Sequence, residues 1–247
     1  MKLLSYNIRY GGAGREDRLA AVIREAEPDL VMLQEATNPR VVERVAQATG
    51  MNIWAAHAGY SLGFISRVKV SSHEWHWPAG TRRAFLEVVL AETEMRVFGL
   101  HLSAIHSNWT ERRRVRELRA LLGAIKQHEK GFHVLVGDFN TLAPGEPLDL
   151  RHLPLRLQTL FWLSGGRIRW ETIQIMLDAS YVDGYRLLHP LEKGFTFPTW
   201  NPHVRLDYLF LPAPFAERLK ACQVFNESLA VAPASDHFPL LADIDVA

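Results

Sequence analysis

The sequence of 247 residues has little cysteine and little net charge, with Cys222 as its one thiol and a balance of +1 at pH 7. A single cysteine excludes an intrachain disulfide framework and is typical of proteins from a reducing cytosol. The near-zero charge provides no long-range field that would draw nucleic acid or an anionic membrane surface towards the whole molecule.

Long apolar runs are also missing. No stretch approaches the roughly 20 apolar residues of a membrane-spanning helix, and the N-terminal MKLLSYNIRYGG is too short for the apolar core of a signal peptide. We therefore expect a cytoplasmic protein without integral membrane association and without an evident obligate protein partner. The composition, 48% hydrophobic and 22% charged, is that of a globular protein. Because internal repeats and linker-like segments are absent, a single domain is expected over residues 1–247.

Apolar segments bounded by turn residues predict eight β-strands. They are KLLSYNI (2–8), DLVMLQEA (29–36), LGFISR (62–67), RAFLEVVLAE (83–92), MRVFGLHLSA (95–104), FHVLVGD (132–138), HVRLDYLFL (203–211) and FPLLADIDV (238–246). The runs that end near Glu35 and at Asp138 are apolar over almost their whole length and predict buried strands.

Helices are predicted where apolar residues recur at helical spacing. They cover residues 15–27, the segment after Asn38-Pro39, residues 111–128 and a short stretch at 172–180. Five arginines crowd the first half of 111–128, and we interpret them as a solvated helix face rather than a phosphate-binding patch. Residues 142–170, which contain several prolines and Gly165-Gly166, are predicted to be irregular.

Polar side chains that can do chemistry lie at the ends of the predicted strands. Those at C-terminal ends are Asn7, Glu35, His101, Asp138 and Asn140. Those at N-terminal ends, on the last two strands, are Asp207, Asp236 and His237. If these last two strands run antiparallel to the others in a mixed sheet, both sets meet at one edge. We favour this arrangement over a chance scatter of polar residues.

Several carboxyl groups in one cleft repel one another unless a cation or raised pKa values relieve the repulsion. Oxygen ligands favour a hard cation such as Mg²⁺, which takes one or two carboxylates and keeps several waters. The single cysteine and the absence of an HExxH motif argue against zinc. A hard metal with few protein ligands suits an anionic substrate such as a phosphate, and an imidazole beside a carboxylate can act as acid, base or fixed charge.

The order of motifs along the chain resembles that of the endonuclease/exonuclease/phosphatase superfamily, whose fold is DNase I-like. The motifs are SYNIRYGG, DLVMLQEA, GLHLSA, LVGDFNT, RLDYLFL and ASDHFPLLADI, and together they cover almost the whole chain. Each is weak alone, but LQE, GDFN and SDHFPL in this order are specific. The resemblance implies a four-layer α/β sandwich, in which two packed mixed β-sheets lie between helices, and a metal-dependent hydrolase of phosphate esters.

The resemblance also implies roles for the polar residues. Glu35 corresponds to the principal ligand of Mg²⁺, for which Mn²⁺ can substitute, with Asn7 in or beside the metal shell and Asp236 near it. Asp138 corresponds to the carboxylate that positions or deprotonates water, and Asn140 to an amide donor to the phosphate. His237 corresponds to the imidazole at the scissile phosphate, Asp207 to the carboxylate on its other nitrogen, and His101 to a second imidazole on the phosphate.

The substrate stays open at this point. Arginine-rich segments favour a nuclease or a phosphodiesterase acting on a nucleic-acid adduct, with DNA or RNA as partner. The alternative is a phosphoesterase for a phospholipid head group or a small phosphorylated metabolite, similar to sphingomyelinases or inositol phosphatases. Glu35 is followed by Ala36-Thr37-Asn38 rather than by an early lysine, which argues against the AP endonucleases of the exonuclease III type. A non-catalytic binding module would be expected to lack one of the eight positions, yet all are present.

Aromatic and basic residues near the motifs are candidates for substrate contact. Trp200, in the loop before Asp207, is the predicted aromatic contact, and Arg205 is a second candidate. Trp75 and Trp77 are interpreted as packing residues rather than as base-stacking ones. His106 and His203 lie close to motif segments and are further candidates.

Overall fold

A computed structural model describes residues 1–104, 108–146, 148–152, 155–163, 165–167 and 169–246. Its strands are β1 (Lys2–Asn7), β2 (Leu30–Gln34), β3 (Ile53–Ala56), β4 (Leu62–Ser66), β5 (Val70–His76), β6 (Phe85–Leu90), β7 (Arg96–His101), β8 (His133–Asp138), β9 (Tyr181–Asp183), β10 (Asp207–Pro212), β11 (Leu219–Val224) and β12 (Leu240–Ile244). Its α-helices are α1 (Glu16–Ala26), α2 (Pro39–Thr49), α3 (Asn108–Ala124), α4 (Leu155–Leu163), α5 (Glu171–Asp178), α6 (Gly184–Leu188) and α7 (Val231–Ala234). None of the helices in these ranges is long and apolar enough to cross a membrane.

The strands of the described ranges form two six-stranded sheets. The first sheet has the order β11-β12-β1-β2-β4-β3, and the second has the order β5-β6-β7-β8-β10-β9. Each sheet has a parallel pair at its centre, β1 with β2 and β7 with β8, while the flanking strands pair antiparallel. Because a parallel pair needs a crossover, α1 and α3 connect these central strands.

Three apolar clusters hold the sheets and helices together. The cluster between the sheets joins residues such as Leu3 and Met32 of the first sheet to Val97 and Val136 of the second. Residues whose side chains point to the other face of the first sheet, such as Leu4 of β1, pack on α1 and α2. A third cluster packs the outer face of the second sheet on α3 and α5. Both faces of each central sheet region are therefore buried, and the predicted four-layer sandwich of two mixed sheets between helices is confirmed.

Segment 142–170 differs from its prediction as an irregular stretch, because it contains helix α4. Its prolines, at positions 144, 147 and 154, all precede the helix, and Gly165 and Gly166 follow it. These residues therefore bound the helix instead of interrupting it.

Gly137 of β8 lies close against the backbone of β7. Its φ is 146°, and a Cβ atom there would lie 2.0 Å from the carbonyl oxygen of Leu100. Since that oxygen belongs to a central strand, neither side can move aside without breaking the sheet. We expect Gly137→Ala to lower the free energy of unfolding by about 3 kcal/mol, as measured by urea denaturation.

Gly123 provides the matched control, because a Cβ atom at this position in α3 would have no neighbour within 4 Å. Gly123→Ala should raise stability by about 0.5–1 kcal/mol through the better helix propensity of alanine. Equal stabilities of the two variants would contradict the close approach described for Gly137.

Candidate active site

Three of the predicted site residues stand side by side at one end of the second sheet. Asp138, at the end of β8, is in register with His101 of the parallel strand β7 and with Asp207 of the antiparallel strand β10. The antiparallel direction of β10 thus brings the start of one strand beside the ends of two others. The predicted convergence at one sheet edge is confirmed for these residues.

Asn7 and Glu35 occupy the corresponding end of the first sheet, where β1 and β2 run parallel. After β1 the chain turns through four residues of positive φ, Arg9 to Gly12. This turn directs the backbone N–H of Tyr10 to Oε2 of Glu35, at 2.5 Å. Glu35 itself has a φ of 56°, an uncommon conformation for a side chain with a Cβ atom. Such conformations concentrate at functional sites, where the surrounding structure holds them in place.

Side chains from both sheets converge on Oδ2 of Asp138. Nδ2 of Asn7 donates a hydrogen bond to it at 3.0 Å, and the same amide nitrogen lies 3.4 Å from Oε1 of Glu35. Nε2 of His101 lies 3.7 Å from this oxygen and Nε2 of His237 lies 3.9 Å from it. Side chains from both sheets therefore surround one buried carboxylate.

His237 is held in place by the segment that leads into β12 and by Asp207. Its Nδ1 lies 2.9 Å from Oδ2 of Asp207, and its ring is 4.8 Å from that of Phe197. The hydroxyl of Ser235 accepts the backbone N–H of His237 at 3.3 Å and donates to the carbonyl oxygen of Asn7 at 2.6 Å. The segment that carries Asp236 and His237 is thus attached directly to the end of β1.

The two imidazoles of the site favour opposite charge states. Burial alone would lower the pKa of His237, but the charge and hydrogen bond of Asp207 and the charges of Asp138 and Asp236 raise it above its ordinary value. Burial also raises the pKa of Asp138, against the opposing charge of His237. His237 is therefore an imidazolium clamped by Asp207, next to a carboxyl group that can exchange a proton near neutral pH.

His101, by contrast, is neutral, because burial and the charges of Arg83 and His237 hold its pKa well below the ordinary value. Its Nδ1 lies 2.9 Å from Nη1 of Arg83. A guanidinium can only donate, so Nδ1 accepts and the ring proton sits on Nε2, which faces Asp138. Arg83 thereby makes His101 a hydrogen-bond donor towards the cleft. Sequence inspection missed Arg83, since it lies in no motif.

The sequence matches a model of the Endonuclease/Exonuclease/phosphatase family over residues 4–237, which include all eight polar residues. The chain belongs to this family. The predicted family is therefore confirmed, and with it the prediction of a hydrolase that acts on phosphate esters. No curated protein sequence matches the chain.

Solved structures similar to this member of the family share its fold at low identity. The 3′ phosphatase NExo from Neisseria, bound to a product DNA hairpin, is 20% identical, with 99% of each chain covered and a TM-score of 0.73. An AP endonuclease from Archaeoglobus fulgidus is 17% identical, with 99% of each chain covered and a TM-score of 0.75. A humanized D. rerio TDP2 is 18% identical, covering 98% of this chain and 97% of its own, with a TM-score of 0.66.

The endonuclease/exonuclease/phosphatase family generally depends on a divalent metal, and two groups of side chains offer ligands. Asp138, Asp207 and His237 place one ligand atom each within 4.8 Å of one another. However, Nδ1 of His237 is bonded to Asp207, and a protonated imidazole has no lone pair for a metal ion, so His237 is not available as a ligand in this charge state. Glu35 fits better, because its carboxylate oxygens are hard ligands; Asn7 lies beside it, with its N–H group towards Glu35 and Asp138 and its oxygen accepting the backbone N–H of Arg9 at 3.0 Å.

Asp236, the third predicted metal residue, is partly engaged elsewhere. Its Oδ2 lies 3.2 Å from Nε of Arg9, which forms an ion pair with it. The charge of Asp236 is therefore balanced in part by Arg9, which adjoins the Tyr10 N–H that binds Glu35. Arg9 is the first residue of the left-handed turn in the family's first motif, and nothing in the sequence pattern distinguished it.

Asn140 shares the left-handed conformation of Glu35, with a φ of 53°. Its backbone N–H donates to Oδ1 of Asp138 at 2.8 Å, and its Nδ2 donates to the carbonyl oxygen of Leu102 at 3.1 Å. The amide is thus fixed between the ends of β7 and β8, with one N–H still available for a substrate.

A buried ion pair of helix α3 supports this loop and corrects the prediction of a wholly solvated arginine face. Arg114 is 1% exposed and bonds to Glu111 at 2.7 Å and to the carbonyl oxygen of Ser103 at 2.8 Å. Glu111 also accepts the hydroxyl of Thr141 at 3.2 Å. Because α3 meets two loops that carry site residues here, one arginine of the five is taken into the interior.

The predicted substrate contact of Arg205 is wrong. Its side chain is 1% exposed, bonds to Glu146 at 2.6 Å and to Asp183 at 3.0 Å, and lies 4.3 Å over the ring of Tyr208. These contacts fill its hydrogen-bonding capacity inside the protein, so no part of it faces a substrate. Trp200, in contrast, is 66% exposed and contacts Phe197, whose ring packs on His237.

Of the two further histidine candidates, the structure describes only His203. Nδ1 of His203 lies 2.6 Å from the carbonyl oxygen of Asn201, within its own loop. His106 lies outside the described residues. Trp200 thus stays the aromatic candidate on this side of His237.

Proposed function

We propose that this protein is a Mg²⁺-dependent phosphodiesterase that cleaves nucleic acid or a nucleic-acid adduct, with Mn²⁺ able to substitute. The observation that carries the proposal is the enclosure of Asp138 by a charged imidazole, a neutral imidazole and the amide that faces Glu35. Phosphoryl transfer depends mostly on positioning and on charge neutralisation, and this set provides both.

The cation would be held by Glu35 and Asn7, with Asp236 at the margin. When bound, it would neutralise negative charge that develops on the phosphate. The protein residues supply the rest of the chemistry, as their charge states dictate.

Asp138 is placed to orient a water molecule and to accept its proton, because its raised pKa matches proton transfer near neutral pH. His237 is placed to donate a charged hydrogen bond to a phosphate oxygen or to the leaving oxygen, and Asp207 keeps its ring oriented. His101 and Asn140 donate neutral hydrogen bonds to the remaining phosphate oxygens. Each proton that Asp138 takes from water is matched by one that His237 can give to the leaving group.

The related structures named above support nucleic acid over a lipid head group, since one was solved with a DNA hairpin and another is an AP endonuclease. Their identities of 20% and 17% support the fold more than the substrate, so the substrate is part of the proposal.

A substrate panel with the wild-type protein tests this proposal. Single-stranded DNA, duplex DNA, RNA, a 5′-tyrosyl adduct, sphingomyelin and inositol phosphates are incubated with Mg²⁺ or Mn²⁺, and products are quantified by chromatography. We expect cleavage of nucleic acid that stops in EDTA and weakens steeply with salt, because phosphate contacts release counterions. Undiminished hydrolysis of bis-p-nitrophenyl phosphate in EDTA, or turnover of lipid or inositol phosphates alone, would exclude the proposed function.

A further inference from the structure

A cleft of about 540 Å³ is lined by Glu35 and His101 of the site. Its lining also includes a tyrosine, two tryptophans and two arginines, none of which belongs to a family motif. These five residues, which we call the distal subsite, are Tyr60, Trp75, Trp77, Arg82 and Arg83. The cleft therefore joins a catalytic end of carboxylate and imidazole to a distal end of aromatic rings and positive charge.

Of the two tryptophans in the distal subsite, one is held in place by the protein and the other is exposed to solvent. Trp75 is anchored, because its Nε1 donates to the carbonyl oxygen of Leu62 at 3.1 Å and its ring lies 4.3 Å from that of His57. Trp77 touches Tyr60 edge-on at 5.4 Å and is 53% exposed. An indole that is held at its edge while its face stays in water is a stacking platform.

One of the two positive charges of the distal subsite contacts the active site, and the other faces solvent. Arg83 bonds to His101, and Arg82 is exposed. Within the described ranges, neither arginine forms an ion pair with a carboxylate. Guanidinium groups without a carboxylate partner, beside aromatic faces, suit a ligand that carries both an anionic group and a planar ring.

We propose that the distal subsite binds an unpaired nucleotide next to the scissile phosphate, with its base stacked on Trp77 and its phosphate paired with Arg82. This inference rests on the proposed nucleic-acid function. In a duplex, neighbouring bases cover both faces of each base, so stacking on Trp77 requires a single strand or a displaced nucleotide. The preferred substrate is therefore single-stranded nucleic acid.

Cleavage mapping on a 12-nucleotide single strand tests the stacking. In a series of substrates, one base at a time is removed by an abasic linker, and the rate at each bond is measured by gel electrophoresis. With the wild-type protein, loss of the stacked base should slow the adjacent bond about tenfold. Trp77→Ala should slow all bonds about tenfold on the intact strand and should abolish this position-specific effect, whereas Trp77→Phe should retain it.

Trp162 offers a control, since it is 65% exposed and outside the cleft lining. Trp162→Ala should behave as the wild type. If removal of the base still slows the adjacent bond by its full factor in Trp77→Ala, so that the effects of the two changes simply add, the distal subsite is overturned. The nuclease function would still stand. If the wild type cleaves no nucleic acid at all, both proposals fail together.

The role of Arg82 is tested by salt dependence. Loss of one phosphate contact should reduce the slope of log kcat/KM against log salt concentration by about 0.7 on a single strand. Arg82→Gln is therefore compared with Arg40→Gln, which removes an exposed arginine of α2. An unchanged slope for Arg82→Gln would contradict the phosphate contact, and faster cleavage of duplex than of single strands would overturn the preference for unpaired nucleotides.

Discussion

Replacement of His237 by alanine is expected to lower kcat by about 10²–10⁴-fold with Mg²⁺ present. The substitution removes the imidazolium that Asp207 holds at 2.9 Å and that faces Asp138 across 3.9 Å. Initial rates on bis-p-nitrophenyl phosphate and on single-stranded DNA measure the loss. Circular dichroism checks that the sandwich persists, since β10 and β12 do not depend on this side chain for their pairing.

His133 provides a control with the same chemistry in another place. It is also buried, at 1% exposure, and its Nε2 lies 2.7 Å from the hydroxyl of Tyr181. It stands at the opposite end of β8 from Asp138. His133→Ala should lose stability but retain kcat within a few-fold. A comparable fall in kcat for both variants would show that the loss at His237 arises from packing and would contradict its catalytic role.

Glu35→Gln is expected to weaken the activation by Mg²⁺ by about 100-fold or more, because even indirect partners of a metal ligand often contribute 10–100-fold to affinity. The substitution keeps the shape of the side chain and its contact with the N–H of Tyr10, but removes the negative charge. Activity is titrated against Mg²⁺ and against Mn²⁺, and the half-saturating concentrations are compared with those of the wild type.

Glu94→Gln controls for the backbone conformation, since Glu94 also has a positive φ, of 54°, and is exposed. Its titration curve should match that of the wild type. If Glu35→Gln is half-saturated at the same Mg²⁺ concentration as the wild type, the metal must bind elsewhere. The cluster of Asp138, Asp207 and His237 would then be the remaining candidate metal site among the described residues.

The strands that could be predicted from the sequence are the inner strands of both sheets. Their residues are buried on both faces, as in β2, β4 and β8, so the apolar runs are continuous. The four strands that were missed, β3, β5, β9 and β11, are the four edges of the two sheets. An edge strand such as β5 is largely exposed, and its sequence resembles that of a polar loop. Strand prediction failed where burial, which generates the pattern, was incomplete, as in β3, β5 and β11, and at β9, which has only 3 residues.

The site shows a similar division. Residues such as Asp138 and His237 lie in motifs at strand ends, and their convergence could be inferred from strand direction alone. Arg83 and Arg9 could not be inferred, because their contacts with His101 and Asp236 depend on the paths of loops. Arg205 was misread for the opposite reason: it lies in a motif segment, but its neighbours Glu146 and Asp183 come from distant parts of the chain.

The joining of Asn7 to Asp138 and to Ser235 has a consequence for the newly synthesised chain. Asn7 leaves the ribosome long before Asp236 and His237, since 228 positions separate it from Ser235. A nascent polypeptide therefore carries only disconnected parts of the hydrolytic machinery, whatever helices have already formed. Cleavage can begin only after β12 has inserted beside β1, so incomplete products released by premature termination would be inert towards cellular phosphate esters.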